Sequence, residues 1–254
     1  PAKRWSLRIL IKRSPACHAP LARSIMLAMA CGVAGCLPAP KQAEAQFPTA
    51  DRPVANIISD RWSTEESRDR LDEAERIMDL ADIQPGMTVA DIGAGEGYYT
   101  IRLSERVGPK GRVLAQDIMP AVRDKLAERV NRERLDNVSV RLGAPEDPRL
   151  PPASFDRVLM VHMYHEIAAP YQFLWNLHPA LKPGGRVIIV DADRPTEKHG
   201  TPPLLLQCEL AAIGYNLVRF ERAAFAGGYY AAFEVKAPRP APADITPCSR
   251  AISR

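Results

Sequence analysis

Three glycines spaced two residues apart form the segment of this sequence with the clearest chemical meaning. Gly93, Gly95 and Gly97 follow an apolar run at 89–92 and precede a segment with helical spacing. Glycine lets the backbone turn sharply and approach a ligand with no Cβ in the way, and the first turn of a helix offers free backbone N–H groups. The pattern predicts a loop that holds a nucleotide-type ligand at the end of a first β-strand.

The spacing of this loop discriminates between ligand classes. A dinucleotide fingerprint requires a glycine three residues after the second one, and Tyr98 occupies that position, which disfavours NAD and FAD. Asp91 stands two residues before Gly93 and completes an acidic-x-Gly-x-Gly-x-Gly pattern. In this form the segment resembles motif I of class I S-adenosylmethionine-dependent methyltransferases. The resemblance implies S-adenosyl-L-methionine as the cofactor, with the loop beneath its methionine and ribose parts.

Two carboxylates are candidates for the same site. Asp117 ends the second predicted strand, 20 residues after Gly97. In the resembled family an acid at this position accepts the ribose hydroxyls; a turn or helix-capping acid before Pro120 is the alternative. Asp91 can orient the amides of the glycine loop and, by the same resemblance, approaches the methionine end of the cofactor. A purely structural brace of the loop is its alternative.

The third predicted strand ends in LGAPEDPRLP, residues 142–151. In the resembled family an Asp in this stretch often receives the adenine amino group, and this chain has Ala144 in that place. The resemblance leaves the adenine contact to the backbone of Ala144 and Pro145 or to the Glu146 side chain. For Glu146 a solvated loop carboxylate is the alternative.

The segment 155–167, FDRVLMVHMYHEI, resembles the family's fourth strand and the loop after it, where substrate and methyl donor meet. We assign His162 to the cofactor site and His165, with Glu166 nearby, as the candidate general base. Packing or turn roles are the alternative for each. Asp191 and Asp193, after the fifth strand, would face the same rim. No metal site is predicted, because His-x-x-His-Glu on a strand-to-loop segment does not place two imidazoles on one helical face.

The elements that position these residues alternate between strand and helix. A helix capped by Ser63 or Thr64 is predicted to run to about Ala81. After it we predict strands at 88–92, 112–117, 138–142, 155–161, 185–190, 215–220 and 229–235, and helices at 97–107, 120–134, 170–181 and 202–213. This order predicts an α/β fold: a doubly wound, mostly parallel, seven-stranded sheet with helices on both faces. The antiparallel last strand matches the Rossmann-like methyltransferase fold of the resembled family.

Residues 1–45 differ in composition from the rest and are predicted to be a leader. A basic stretch ending at Arg23 is followed by the apolar segment 24–35, which has the length of a signal h-region. Residues 33–36 resemble a bacterial lipobox, in which Cys36 would be lipidated and anchor the protein to a membrane. Ala43-Glu44-Ala45 is the competing cleavage site. We therefore expect an exported, periplasmic or lipid-anchored protein, with cytoplasmic retention as the alternative.

The domain proper is predicted at 63–236, between a linker at 46–62 and a proline-rich extended tail at 237–254. Seven of 34 Lys and Arg residues but one of 30 acidic residues lie in the leader, so the remainder is slightly acidic and offers no nucleic-acid-binding stripe. Cys208 and Cys248 could pair in an exported protein; in a cytoplasmic one Cys208 would be an ordinary buried residue.

The function that follows from the resemblance is methyl transfer from S-adenosyl-L-methionine to an unidentified, small-molecule acceptor. The resemblance is closest to the group that includes ubiquinone- and menaquinone-type methyltransferases. Because the donor is already activated, the protein mainly supplies alignment and desolvation. An exported, non-catalytic domain that kept the fold is the alternative from another class, and a nicotinamide oxidoreductase comes last because of Tyr98.

Overall fold

A seven-stranded mixed sheet lies at the centre of the part of the chain that the computed structural model describes, residues 46–57 and 64–249. In chain order its strands are β1 (Thr88–Ile92), β2 (Arg112–Asp117), β3 (Val138–Leu142), β4 (Phe155–Val161), β5 (Leu181–Asp191), β6 (Tyr215–Ala223) and β7 (Gly228–Val235). The helices are α1 (Glu65–Asp69), α2 (Glu73–Leu80), α3 (Tyr98–Val107), α4 (Pro120–Arg132), α5 (Pro170–Leu177) and α6 (Pro203–Ala211).

The order across the sheet is β3-β2-β1-β4-β5-β7-β6. The first five strands in this order are mutually parallel, whereas β7 pairs antiparallel with both β5 and β6. The chain therefore builds outward from β1 to β3 and returns to β4 on the other side of β1. This confirms the predicted fold class, and β1 to β4 have the predicted bounds.

The sheet is covered on both faces, as the apolar run in β5 illustrates. Val187 and Ile189 belong to the core cluster that includes α5 and α6, whereas Ile188 and Val190 belong to the cluster that includes α2 and α3. All four are fully buried. A strand with apolar residues on both faces is expected where helices pack on each side of a parallel sheet.

The helix predicted to run from Ser63 or Thr64 to Ala81 is two helices. Thr64 caps α1 by accepting a hydrogen bond from the N–H of Ser67, but the chain breaks at Asp72, which has a φ of 52°. The break turns Glu73, at the start of α2, into the interior, where it is 4% exposed. Similarly, α5 ends at Leu177, four residues earlier than predicted, and a 3-10 turn leads into a longer β5.

Segments on either side of the domain pack against it. Arg52, in segment 46–57, is buried, and so are Ile245 and Cys248 in the tail. Cys248 forms a disulfide with Cys208 of α6, with the two Cα atoms 6.0 Å apart. Within the described ranges, every helix is too short or too polar to cross a membrane. The predicted leader with Cys36, residues 58–63 and residues 250–254 lie outside the described residues.

Candidate cofactor site

A cavity of about 570 Å³ lies at the carboxyl ends of β1, β2 and β4. This is the edge at which open α/β sheets bind ligands, since the connections leave β1 in one direction and return to β4 in the other. The volume is typical of small-molecule sites. The wall is formed by the glycine loop, the end of β2, the segment after β4, helix α1 and residues 54–57.

The glycine loop has the backbone geometry that its sequence predicts. Gly93, Gly95 and Gly97 have φ values of 68°, 56° and 93°, in the region that favours glycine. Gly93 and Gly95 line the cavity. Gly97 does not, and a Cβ there would come within 2.5 Å of Leu126 Cδ1 on α4. The first two glycines thus bring backbone to the ligand, and the third lets α3 begin close to α4.

Asp117 lines the cavity and also braces the loop. Its Oδ2 accepts a hydrogen bond from the N–H of Gly95 at 3.1 Å, and its Oδ1 accepts one from the N–H of Met119 at 2.9 Å. A carboxylate oxygen can accept more than one hydrogen bond, so these contacts leave acceptor capacity for ligand hydroxyls. Ribose binding and a turn-forming role are therefore compatible for this residue.

Asp91 is a buried acid in the cavity wall. The hydroxyl of Thr100 donates to its Oδ2 at 2.6 Å. Burial raises the pKa of Asp91 from 3.8 to about 6, although the Thr100 hydrogen bond and the charge of Arg68 act in the opposite direction. The residue is poised to interact with a positively charged ligand group.

Gln116 is a site residue that the sequence reasoning missed. Its side chain is buried in the cavity wall, and its Nε2 has no hydrogen-bond partner within the described residues. A Cβ at Gly143 would come within 1.6 Å of this nitrogen, so the glycine is needed to make room for the amide. A buried donor without a partner is costly, so this amide is a candidate hydrogen-bond donor to a ligand in the cavity. Its position in the sequence directly before Asp117 could have identified it as a site residue.

The residues after β4 divide between the cavity and the interior. His162 lines the cavity with its Nε2 4.0 Å from Glu73 Oε1, and burial lowers its pKa to about 4. Glu166 also lines the cavity. His165 is 1% exposed and is not in the wall; its Nδ1 lies 3.0 and 3.1 Å from the carboxylate oxygens of Asp191. General-base catalysis by His165 stays a prediction.

The loop after β3 contributes less than the resemblance implies. Pro145 lines the cavity, but Ala144 and Glu146 do not. Ala144 exchanges two backbone hydrogen bonds with Asp147, at 2.8 and 3.1 Å, which turns the loop tightly. The Glu146 side chain is exposed, as is that of Asp193 after β5. The structure thus brings Pro145, rather than these two carboxylates, to the cavity.

Segment 46–57 closes one side of the cavity through residues 54–57, although its sequence predicts a linker. Arg52 anchors it: Nε donates to Glu209 Oε1 at 2.9 Å, and Nη2 donates to the carbonyls of Tyr164 and Ile167 at 3.4 and 3.1 Å. The side chains of Arg52 and Glu209 are each 1% exposed. Because the partners are 112 or more residues apart, sequence spacing could not reveal this contact.

Helix α1 brings a cation to the cavity wall. Arg68 lies with its Cζ 3.8 Å from the ring centroid of Tyr98 and 5.1 Å from that of Tyr99. It also donates to both carboxylate oxygens of Glu73, which accepts a further hydrogen bond from the Tyr99 hydroxyl at 3.0 Å. The two tyrosines hold the start of α3 against α1 and α2, and both also line the cavity.

Comparison with known proteins agrees with this geometry. Residues 90–189 match a family described as a methyltransferase domain. A solved structure of a SAM-dependent methyltransferase from Aquifex aeolicus superposes with a TM-score of 0.59 at 24% identity, over 68% of this chain and 99% of that one. The fold is that of S-adenosylmethionine-dependent methyltransferases. A [4+2]-cyclase, SpnF, shares the fold with a TM-score of 0.55 at 16% identity, over 76% of this chain and 89% of that one.

Curated relatives match over part of their length. Nocamycin O-methyltransferase of Saccharothrix syringae is 46% identical over 34% of this chain and 30% of its own length. Arsenite methyltransferase of Halobacterium salinarum is 33% identical over 52% of this chain and 35% of its own length. The chain spans half or less of these relatives.

S-adenosyl-L-methionine is the cofactor indicated by the match to a methyltransferase domain and by the likeness to SAM-dependent methyltransferases, and the cavity residues fit it. Gly93 and Gly95 permit close approach of the backbone, the carboxylate of Asp117 can accept hydrogen bonds from hydroxyls, and the Gln116 amide offers a buried donor. These groups suit an uncharged ribose and a heteroaromatic base. Asp91 adds a carboxylate for the cationic part.

Proposed function

We propose that this protein transfers the methyl group of S-adenosyl-L-methionine to a small-molecule acceptor. The observation that carries the proposal is the joint placement of the glycine loop, Gln116 and Asp117 around one cavity at the switch point of a methyltransferase fold. When bound, the cofactor supplies a methyl group activated by a sulfonium centre. The chain's own contribution is to align the two reactants and to exclude water.

Apolar residues of the cavity lining support a small acceptor with an apolar body. Val54, Ile57, Ile167 and Phe173 are among them, and the first two belong to segment 46–57. Glu166 and His162 also line the cavity. Because burial holds the pKa of His162 near 4, its imidazole is neutral at pH 7 and does not oppose a cationic donor.

We further propose that the domain functions after export. The predicted leader motivates this proposal, and the Cys208–Cys248 disulfide supports it, since such bonds persist in oxidising compartments. Anchoring through a lipidated Cys36 is part of the same proposal. An exported, non-catalytic binding domain is the second candidate. The disulfide favours this second candidate, because it indicates an oxidising compartment whereas the methyl donor is a cytoplasmic metabolite. The likeness to the cyclase SpnF shows that this fold also serves other chemistry.

Calorimetric titration of the full chain with S-adenosylmethionine, S-adenosylhomocysteine and NAD tests the proposed function. We expect micromolar binding of the first two and none of NAD. Gly95→Arg should abolish binding by filling the loop. Gly184→Arg is the matched control, because Gly184 also has a positive φ, 76°, but has open space around its Cβ position.

Each outcome of this titration is informative. Absence of binding of all three ligands to folded wild-type protein would favour the non-catalytic domain. NAD binding would favour an oxidoreductase. Unchanged affinity in Gly95→Arg would refute the assignment of the site to the glycine loop.

A further inference from the structure

Two histidines and a carboxylate meet beside the cofactor cavity. His165 and Glu166 belong to the 3-10 turn Tyr164–Glu166 after β4, and His199 comes from the connection between β5 and α6. One potential ligand atom from each of these three side chains lies within 4.8 Å of the other two. The ring centroids of His165 and His199 are 5.5 Å apart with the planes nearly perpendicular, and His165 Nε2 lies 4.0 Å from Glu166 Oε1.

Asp191 fixes the orientation of His165. Its carboxylate lies 3.0 and 3.1 Å from His165 Nδ1, and it also accepts hydrogen bonds from the Thr201 hydroxyl at 2.7 Å and the Ala192 N–H at 2.9 Å. With this acceptor so placed, Nδ1 is the nitrogen that donates, which leaves the lone pair of Nε2, 4.0 Å from Glu166 Oε1, to bind a metal. In metal sites, the non-ligating nitrogen of a histidine ligand commonly donates a hydrogen bond to a carboxylate in the same way.

The loop that carries His199 is held at both ends. The N–H of Thr201 donates to the carbonyl of Ala192 at 2.9 Å, and a Cβ at Gly200 would lie 2.5 Å from the same carbonyl oxygen. His199 itself has a φ of 57°, a conformation in which histidine is enriched among non-glycine residues. This local geometry brings the His199 imidazole to the His165 ring.

We propose that His165, Glu166 and His199 bind a divalent transition-metal ion of the zinc class. Two imidazoles and one carboxylate are a ligand set found in zinc sites with three protein ligands. Mg²⁺ and Ca²⁺ prefer oxygen ligands, so a site with two imidazoles disfavours them. Metal–ligand distances of about 2.0–2.2 Å place tetrahedral ligand atoms roughly 3.3–3.6 Å apart, so the group must contract by about 1 Å. His199 and Glu166 are partly exposed and make this adjustment, whereas His165 is fixed by Asp191.

The site forms only in three dimensions. Within the sequence, His165 and Glu166 alone offer two ligands that do not share a helical face, and His199 lies 33 residues further on. Because Glu166 also lines the cofactor cavity, the ion would lie at the cavity wall.

Equilibrium dialysis of the full chain against Zn²⁺, after treatment with a chelator, tests this site. We expect the wild type to retain one Zn²⁺ more per chain than His199→Ala and Glu166→Gln, and to give the intense visible absorption of tetrahedral Co²⁺ when Co²⁺ replaces Zn²⁺. Asp191→Asn should weaken binding 10- to 100-fold. His178→Ala is the control, since His178 is outside this group of ligands. It should bind metal like the wild type.

Cysteines and the histidine in residues 1–45 could also bind metal, but all variants share them. The differences in metal content between variants therefore report only the proposed site. Thermal unfolding in the presence of chelator checks that the variants are folded, and Glu166→Gln, which preserves side-chain size, serves if His199→Ala is unfolded. Equal Zn²⁺ content and equal Co²⁺ spectra in wild type, His199→Ala and Glu166→Gln would overturn the proposal. Metal binding is measured without cofactor, so its failure leaves the methyltransferase proposal untouched, and the reverse also holds.

Discussion

Asp91 should make the cofactor-free protein less stable at neutral pH than at acid pH. Its folded-state pKa is raised from 3.8 to about 6, chiefly by burial. For an acid with a raised folded-state pKa, the stability contribution is fully present below the unfolded pKa and is lost as the pH rises through the folded one. The loss therefore develops between about pH 4 and pH 6 and persists above that range.

The magnitude follows from the size of this shift. About two pKa units correspond to about 3 kcal/mol, and the side chain is 3% exposed, so solvent screening reduces this little. Asp91→Asn keeps the size of the side chain, and its amide oxygen can still accept the Thr100 hydrogen bond. We expect this variant to be more stable than the wild type by up to about 3 kcal/mol at pH 7.5 and by less than about 1 kcal/mol at pH 4.

Urea unfolding of cofactor-free wild type and Asp91→Asn at several pH values between 4 and 8 measures this difference. Other titrating groups are common to both proteins, so the difference between the two curves isolates Asp91. Asp193→Asn, which removes an exposed carboxylate, is the control. We expect the gain in stability to be accompanied by weaker S-adenosylmethionine binding. A difference that does not change with pH, or a variant less stable at pH 7.5, would refute the reasoning.

Two further perturbations test the contacts that hold flanking segments to the domain. Arg52→Met should lower the free energy of unfolding by about 3–5 kcal/mol, because it leaves Glu209 buried without its ion pair, and should weaken cofactor binding through residues 54–57. In urea unfolding, the double variant Arg52→Met/Glu209→Gln should recover part of this loss in stability. Equal losses in the single and the double variant would contradict a buried-charge effect. Cys208→Ser/Cys248→Ser should cost about 2–4 kcal/mol, since the disulfide closes 40 residues, without changing cofactor affinity. Identical urea midpoints for the oxidised and reduced wild type would contradict this expectation.

Local properties of the chain were readable from the sequence alone. The strands β1 to β4 were predicted with correct bounds, because short runs rich in apolar residues and bounded by turn residues are typical of strands. Glycine is the residue type that permits the positive φ values of Gly93, Gly95 and Gly97 without steric cost. The position of Asp117 at the end of β2, and hence at the cavity edge, follows from the topology that the alternating pattern implies.

Contacts between residues far apart in the chain were decided by the tertiary structure. The break between α1 and α2 brings Glu73 to Arg68 and the Tyr99 hydroxyl, and no helical periodicity encodes these contacts. The burial of Arg52 against Glu209 turned a predicted linker into a cavity wall. The spacing of residue types within a segment specifies the local structure of that segment. Contacts such as that between His165 and His199 depend instead on how strands and loops pack together.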